Sequence, residues 1–271
     1  MPEVNEITIA VIHSCIEIGN RAKNIARIGR IIEKLGGSNS VDLVVAPQMI
    51  NGIPLYKHHT IIKARKGAET IPGSTTQEMS NIANRYNRNL LVGPILERRG
   101  TKLYRSAFLV IPILGIKGVV RQLEGFEGYG SNIEVPLFDV NKFKVGVVIA
   151  EDIFYPEISL LLDLMGIDTL IFYPTFDINL NKQRHLMMVR AIETKCTSIM
   201  VGGTMTKRGE VLLEIPTIAV DENGDTIEEL GGGEDKVLLI KVGVKSSKEI
   251  TAQPRKNVLV KLRKLLSYFT K

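Results

Sequence analysis

The stretch KVGVVIAEDIFYPE, Lys144–Glu157, decides how the rest of the chain is read. Val145 to Ile149 is a short run of apolar residues of the kind that is buried on both faces of a sheet, so it predicts an interior strand. The run breaks at Ala150-Glu151-Asp152, where a strand meets a loop, and such junctions are where catalytic groups usually sit. Downstream, the pattern predicts a helix from about Tyr155 to Met165, a strand at Thr169 to Tyr173, a helix from about Asn181 to Lys195 and a strand at Ser198 to Gly202. Strands alternating with helices are crossover units.

Working outward, the N-terminal part repeats this order. Ile7 to Ile12 reads as a strand, Asn20 to Leu35 carries Ile25, Ile28, Ile31, Ile32 and Leu35 at helical spacing, and Val41 to Pro47 is a second buried run. Thr75 to Tyr86 predicts a helix opened by a capping threonine, followed by a strand at Leu90 to Ile95. The pattern then changes: Leu103 to Ile113 and Ile116 to Gln122 are strands joined by a tight Leu114-Gly115 turn, a hairpin with no helix between. Two late strands, Thr217 to Asp221 and Lys236 to Val242, flank the turn Glu222-Asn223-Gly224-Asp225 and the triple glycine Gly231 to Gly233. Hairpins mixed with crossovers predict an α/β protein with two mixed sheets packed face to face and helices outside each.

At 271 residues, the chain is long enough to bury a large core without disulfide or metal staples. No Gly/Ser-rich or Pro-rich linker divides it, so residues 1–245 read as one domain and 246–271 as a C-terminal extension. No apolar run approaches the ~18 residues of a membrane span, and the first residues lack a signal-peptide pattern, so a cytoplasmic protein is expected. Two cysteines and four histidines, without metal-ligand spacing, offer no zinc site, and neither a metal nor another cofactor is expected. The net charge of +6 equals the charge of Pro254 to Lys271 alone, which holds six basic residues and no acid. The rest of the chain is therefore neutral, and a nucleic-acid-binding face over the domain is not expected.

Three strand ends now stand together: Val45-Ala46-Pro47-Gln48 with Gly52, Val119 to Leu123, and Lys144 to Glu157, joined by Arg190-Ala191-Ile192-Glu193. In this order they resemble the carbon-nitrogen hydrolase, or nitrilase, superfamily over about Ile7 to Val242. The resemblance implies a four-layer αββα sandwich and a Glu-Lys-Cys triad that hydrolyses amides or nitriles through a thioester. It puts the general-base glutamate on Gln48, the lysine on Gln122 or, with a one-residue shift, on Arg121, and the nucleophilic cysteine on Ala150. It also matches an additional family glutamate to Glu127 or to Glu124. Acyl transfer of this kind needs a thiolate, a base to generate it and a donor to meet the developing negative charge. A methyl group cannot attack and an amide does not titrate. Losing Glu and Lys together also avoids stranding one charge of a buried pair, at ~3–5 kcal/mol.

Other groups complete the candidate set. Asp152, Tyr173 and Thr175 are expected to line a pocket at these strand ends, and Asp152, Glu151 and Glu127 could form a carboxylate cluster that activates water or binds a cation. The bland reading makes those acids orient backbone and helix ends. In an extended chain His13 and Cys15 share a side, which brings contact within reach, but a lone cysteine more often packs as a small apolar residue, as Cys196 is also expected to do. Gly202-Gly203-Thr204 and Gly231 to Gly233 lack the spacing of a phosphate loop and read as turns. In the extension, Val258, Val260, Leu262, Leu265, Leu266 and Phe269 interleave with Lys261, Arg263 and Lys264, which suits packing on a neighbouring subunit.

The expected function is therefore that of a nitrilase-like pseudoenzyme, acting by binding a small amide-like ligand or a partner. One alternative is an amide hydrolase using Glu127, Asp152 or Cys15, and another is a scaffold whose basic tail binds RNA or another macromolecule. A homodimer is expected through the helices near 156–165 and 181–195, because Leu160, Leu161, Leu162, Leu164 and Met165 supply more apolar surface than one face needs.

Overall fold

The structure, a computed structural model, describes residues 6–35, 41–55, 61–125, 129–132, 134–140, 143–244 and 260–261. The run that opened the sequence reading is β8 (Phe143–Ile149), with all its apolar residues buried. In one six-stranded sheet it lies between β7 (Leu137–Val140) and β9 (Thr169–Tyr173), and the sheet continues through β10 (Thr197–Met200) and β13 (Thr217–Val220) to β14 (Thr226–Leu230). β8, β9 and β10 are parallel, and the outer strands are antiparallel. The other six-stranded sheet runs β15-β1-β3-β4-β5-β6, from Lys236–Gly243 through Glu6–His13, Leu43–Ala46, Leu90–Arg99 and Lys102–Ile111 to Gly115–Arg121. Here β1, β3 and β4 are the parallel centre.

Alternation along the strands builds three apolar layers. Ile7, Ile9 and Val11 meet Val145, Val147 and Ile149 between the sheets. Ala10 and Ile12 point the other way, toward α1 (Arg21–Lys34) and α3 (Ser74–Tyr86), which bring Ile25, Ile28, Ile32 and Met79. On the far side, Val148, Leu170 and Phe172 pack under α4 (Pro156–Leu164) and α5 (Leu180–Thr194) through Leu162, Met187 and Ala191. The four-layer αββα order follows from strands that are apolar on both faces and so need a partner on each.

The structure adds elements that periodicity did not predict. A third sheet, β12-β11-β2, joins Glu210–Ile215, Gly203–Lys207 and Cys15–Glu17. α2 (Ile61–Gly67), β7 and β14 were likewise unforeseen. β14 and β12 are exposed and polar-interrupted, so neither shows an apolar period. The capping threonine of α3 is corrected: the N-cap is Gly73, whose N–H is held by Thr76 Oγ1 at 2.8 Å, while Glu69 accepts from the Thr75 N–H at 2.9 Å. Among the described residues no helix is long and apolar enough to cross a membrane. The proposed extension, 246–271, and the added glutamate, Glu127, lie outside the described residues, apart from Val260 and Lys261.

Candidate functional site

Gln48 follows β3 and Ala150 follows β8, so each stands at the C-terminal end of a parallel strand in one of the two facing sheets. Two bonds tie these ends together. Gln48 Nε2–H donates to the Pro174 carbonyl at 2.9 Å, and the buried Tyr173 hydroxyl donates to the Ala46 carbonyl at 3.2 Å. Tyr173 in turn pairs with Ile149, the residue before Ala150. The close approach depends on Gly93, where a Cβ would fall 2.5 Å from the Tyr173 ring and 2.8 Å from the Gln48 nitrogen.

Gln122 arrives from the end of β6 and donates through Nε2 to Glu151 at 3.0 Å, beside Ala150. Gln48, Gln122 and Ala150 thus gather at one end of the sandwich although 102 positions separate the first from the last. Arg121, the one-residue-shifted reading, turns elsewhere: its guanidinium grips Glu97 through Nε and Nη2 at 2.7 and 2.8 Å, and Ser106 donates to the same carboxylate. That bidentate bond is the main cause that holds Arg121's pKa above its ordinary value.

The backbone at this end is strained. Ala150 has φ 53° and Met49, next to Gln48, has φ 59°. A non-glycine residue in the left-handed region costs ~1–2 kcal/mol and persists only where its surroundings enforce it. From Ala150 to Phe154 the chain makes a sharp 3₁₀ turn before α4, which carries Glu151 and Asp152 into the interior.

Arg105, which sequence reading missed, organises the charges. It lies on β5 with its side chain 1% exposed. Nη1 donates to Glu151 at 2.5 Å and to the Gln122 Oε1 at 3.4 Å, Nη2 donates to the Leu55 carbonyl at 2.6 Å, and Asp177 Oδ2 lies 3.6 Å from Nη2. The signal was present in Tyr104-Arg105-Ser106-Ala107: a charge inside an otherwise apolar strand demands buried partners. Gln183, also missed, is fully buried on α5 and clamps the loop after β9, accepting from the Thr175 N–H and donating to the Thr175 and Ile178 carbonyls.

Asp152 is 2% exposed and accepts from the Leu123 N–H at 2.8 Å and the Glu124 N–H at 3.0 Å, which secures the loop leaving β6. Burial pushes its carboxyl up to about 7, against the pull of those two donors. The folded chain then holds this proton more tightly than the unfolded one, so Asp152 favours the fold at low pH, and that contribution is lost as pH rises from about 4 through about 7. The carboxyl ¹³C resonance of Asp152 should titrate with a midpoint near 7. The stability of wild type relative to Asp152→Asn should fall between pH 4 and pH 7, by at most ~1.4 kcal/mol per pH unit.

Tyr173 is fully buried, which raises its pKa well above the ordinary value, and Thr175 is 3% exposed with its backbone held by Gln183. A small cavity beside Gln48, lined also by Ile16, Met49, Phe176, Gly203, Thr204 and Met205, measures about 10 Å³. That is room for about one water. Among the described residues no group of His, Cys, Asp and Glu is arranged to hold a metal ion.

His13 and Cys15 each bond to the glycine turn. His13 Nε2 donates to the Gly232 carbonyl at 2.9 Å, which leaves Nδ1 to accept from the Thr217 hydroxyl at 3.0 Å. Cys15 donates to the Gly233 carbonyl at 2.8 Å, because the strand turns into β2 and each side chain meets the glycine turn separately. Burial is the main cause lowering His13's pKa. Cys15 is partly buried, and Cys196 lies in the core under α5 with its Sγ 3.1 Å from the Thr194 hydroxyl.

Comparison with known proteins adds to this geometry. The nitrilase of Pyrococcus abyssi is 26% identical over 247 residues, covering 87% of this chain and 92% of that protein. The crystal structure of Saccharomyces cerevisiae Nit3, a member of branch 10 of the nitrilase superfamily, overlays with a TM-score of 0.75 at 20% identity, covering 93% of this chain and 94% of that one. A double mutant of the amidase from Nesterenkonia sp. AN1, with glutamine for glutamate and alanine for cysteine, in complex with acrylamide, overlays with a TM-score of 0.70 at 14% identity, covering 95% and 98%. At these identities the overlays speak for the fold. The carbon-nitrogen hydrolase family model matches residues 8–251, nearly the whole described sandwich, and the chain belongs to that family.

Proposed function

We propose that this chain is a non-catalytic member of the carbon-nitrogen hydrolase family that acts by binding. The observation that carries the reading is Ala150, held at φ 53° on the strand-to-helix turn and offering a methyl group where the chemistry needs a nucleophile. Around it, Gln48 and Gln122 are neutral amides already bonded to Pro174 and Glu151. Of the described acids at this end, Glu151 is paired with Arg105, and Asp152, although burial pushes its carboxyl up to about 7, has both oxygens taken up by backbone N–H groups. This weighs against water activated by substitute carboxylates. The Nesterenkonia double mutant in complex with acrylamide supports a second reading, retention of a small amide without the acid or the thiol.

The test is an assay of the full chain against small amides, nitriles and carbamoyl compounds, with and without a thiol-blocking reagent. No turnover is expected. Turnover that survives the reagent would overturn the proposal in favour of a carboxylate-activated water, and turnover abolished by it would implicate Cys15.

The partner that the surface fits best is a second copy, through α4 and α5. Leu162 is fully buried, whereas Leu161, Met165, Val189 and Ile192 are 37%, 39%, 44% and 50% exposed. Apolar residues on the outward side of two adjacent helices suit a two-fold contact. Sedimentation at micromolar concentration should show a dimer, and Val189→Glu should weaken it by about a hundredfold. A monomeric wild type would rule the interface out.

A further inference from the structure

We propose that the open strand β14, with the glycine turn beyond it, is the docking surface for this chain's own basic C-terminal segment, 254–271. β14 is the last strand of its sheet, and no strand lies on its outer side among the described residues. Thr226, Ile227, Glu228 and Glu229 are all exposed, with Ile227 51% exposed. An edge strand of this kind offers unpaired backbone groups to whatever lies beside it. Through the Gly232 N–H, which donates to Glu214, the surface continues to β12, where Val211 and Leu212 are 62% and 49% exposed.

Charge names the occupant. From Glu210 to Asp235 the sequence holds nine acidic residues and no lysine or arginine. Glu229 is paired with Arg184 and Asp235 with Arg27, but Glu222 and Glu228 are exposed and make no ion pair among the described residues. Pro254 to Lys271 is the converse, with six basic residues, no acid and interleaved apolar residues. Val260, described within that segment, is 57% exposed. One chain thus carries an exposed acidic strand and a basic segment whose sequence interleaves apolar residues.

Connectivity favours closure within one molecule. Val244, where the sandwich ends, lines a cleft of about 210 Å³ together with Glu222, Asp168 and Lys195. Glu222 belongs to the turn that leads into β14, so the tail departs from the foot of its docking strand. The residues 245–253 span up to ~30 Å when extended, against ~17 Å for a five-residue strand. A short tether of this kind supplies an effective concentration near the millimolar range, enough to make weak contacts count. The inference holds whether or not the site at Ala150 is catalytic.

Hydrogen exchange of the full chain tests it. At low salt, amides of 254–271 should exchange at least about tenfold slower than an unstructured chain, and 0.5 M salt should remove most of that protection. Glu222→Lys with Glu228→Lys should also cut the protection about tenfold, while Asp139→Lys, on the opposite edge strand β7, should leave it unchanged. An unprotected tail in the wild type, or equal protection in the Glu222→Lys/Glu228→Lys variant, would overturn the proposal. Protection that rises with protein concentration would overturn closure within one molecule in favour of docking on a second copy.

Discussion

Ala150→Cys alone is expected to leave amide hydrolysis at background, at least about a thousandfold below a variant that combines it with Gln48→Glu and Gln122→Lys. The gap follows from what each position supplies. A thiol at 150 would sit on the strained turn at φ 53°, correctly placed but un-ionised, because the neighbouring Gln48 amide has no proton-accepting state near neutral pH. An oxyanion formed there would meet the Gln122 amide in place of a lysine, and that N–H already serves Glu151 at 3.0 Å. Groups that act as one unit fail together, so restoring one of three recovers little. The measurement is release of ammonia from a panel of small amides by the two variants side by side. Equal rates would mean that the base and the cation come from elsewhere in the chain, and the assignment of Gln48 and Gln122 would fall.

Arg105→Ala is expected to cost about 3–5 kcal/mol of stability, a melting point lower by about 10 °C for a chain of this size. Its guanidinium is the common partner of Glu151, Asp177, Gln122 and the Leu55 carbonyl, and its side chain is 1% exposed. Truncation would take a shared counter-charge from two largely buried carboxylates. Neutralising one of them should help, so Arg105→Met with Glu151→Gln should be more stable than Arg105→Ala, since replacing a buried pair with uncharged groups is far cheaper than breaking it. Denaturant melts of the three chains decide the matter. A loss below about 1 kcal/mol for Arg105→Ala would show that water reaches the cluster and screens it.

The same residues show where sequence reading stops. β8, β9 and α1 were legible because their apolar periods are unbroken, and the four-layer order followed from strands apolar on both faces. β12 and β14 were not, because exposed edge strands need satisfy only their backbone and carry no buried face to leave a period. The third sheet pairs β2 with β11, almost two hundred positions apart, through backbone bonds that no local pattern announces.

The sequence by itself determined the family architecture, the identities of Gln48, Gln122 and Ala150 at the strand ends, and the charge of the tail. Those are matters of residue identity and spacing, and they need no coordinates. Only the tertiary structure showed where Gln122 and Arg121 turn, since both lie at the end of one strand and a one-residue step changes the side each faces: Arg121 toward Glu97, Gln122 toward Glu151. It alone also revealed that Arg105, from the middle of another strand, reaches this end of the sandwich and takes up its charges. A salt bridge between distant segments depends on the geometry of packing, which the order of residues along the chain does not state.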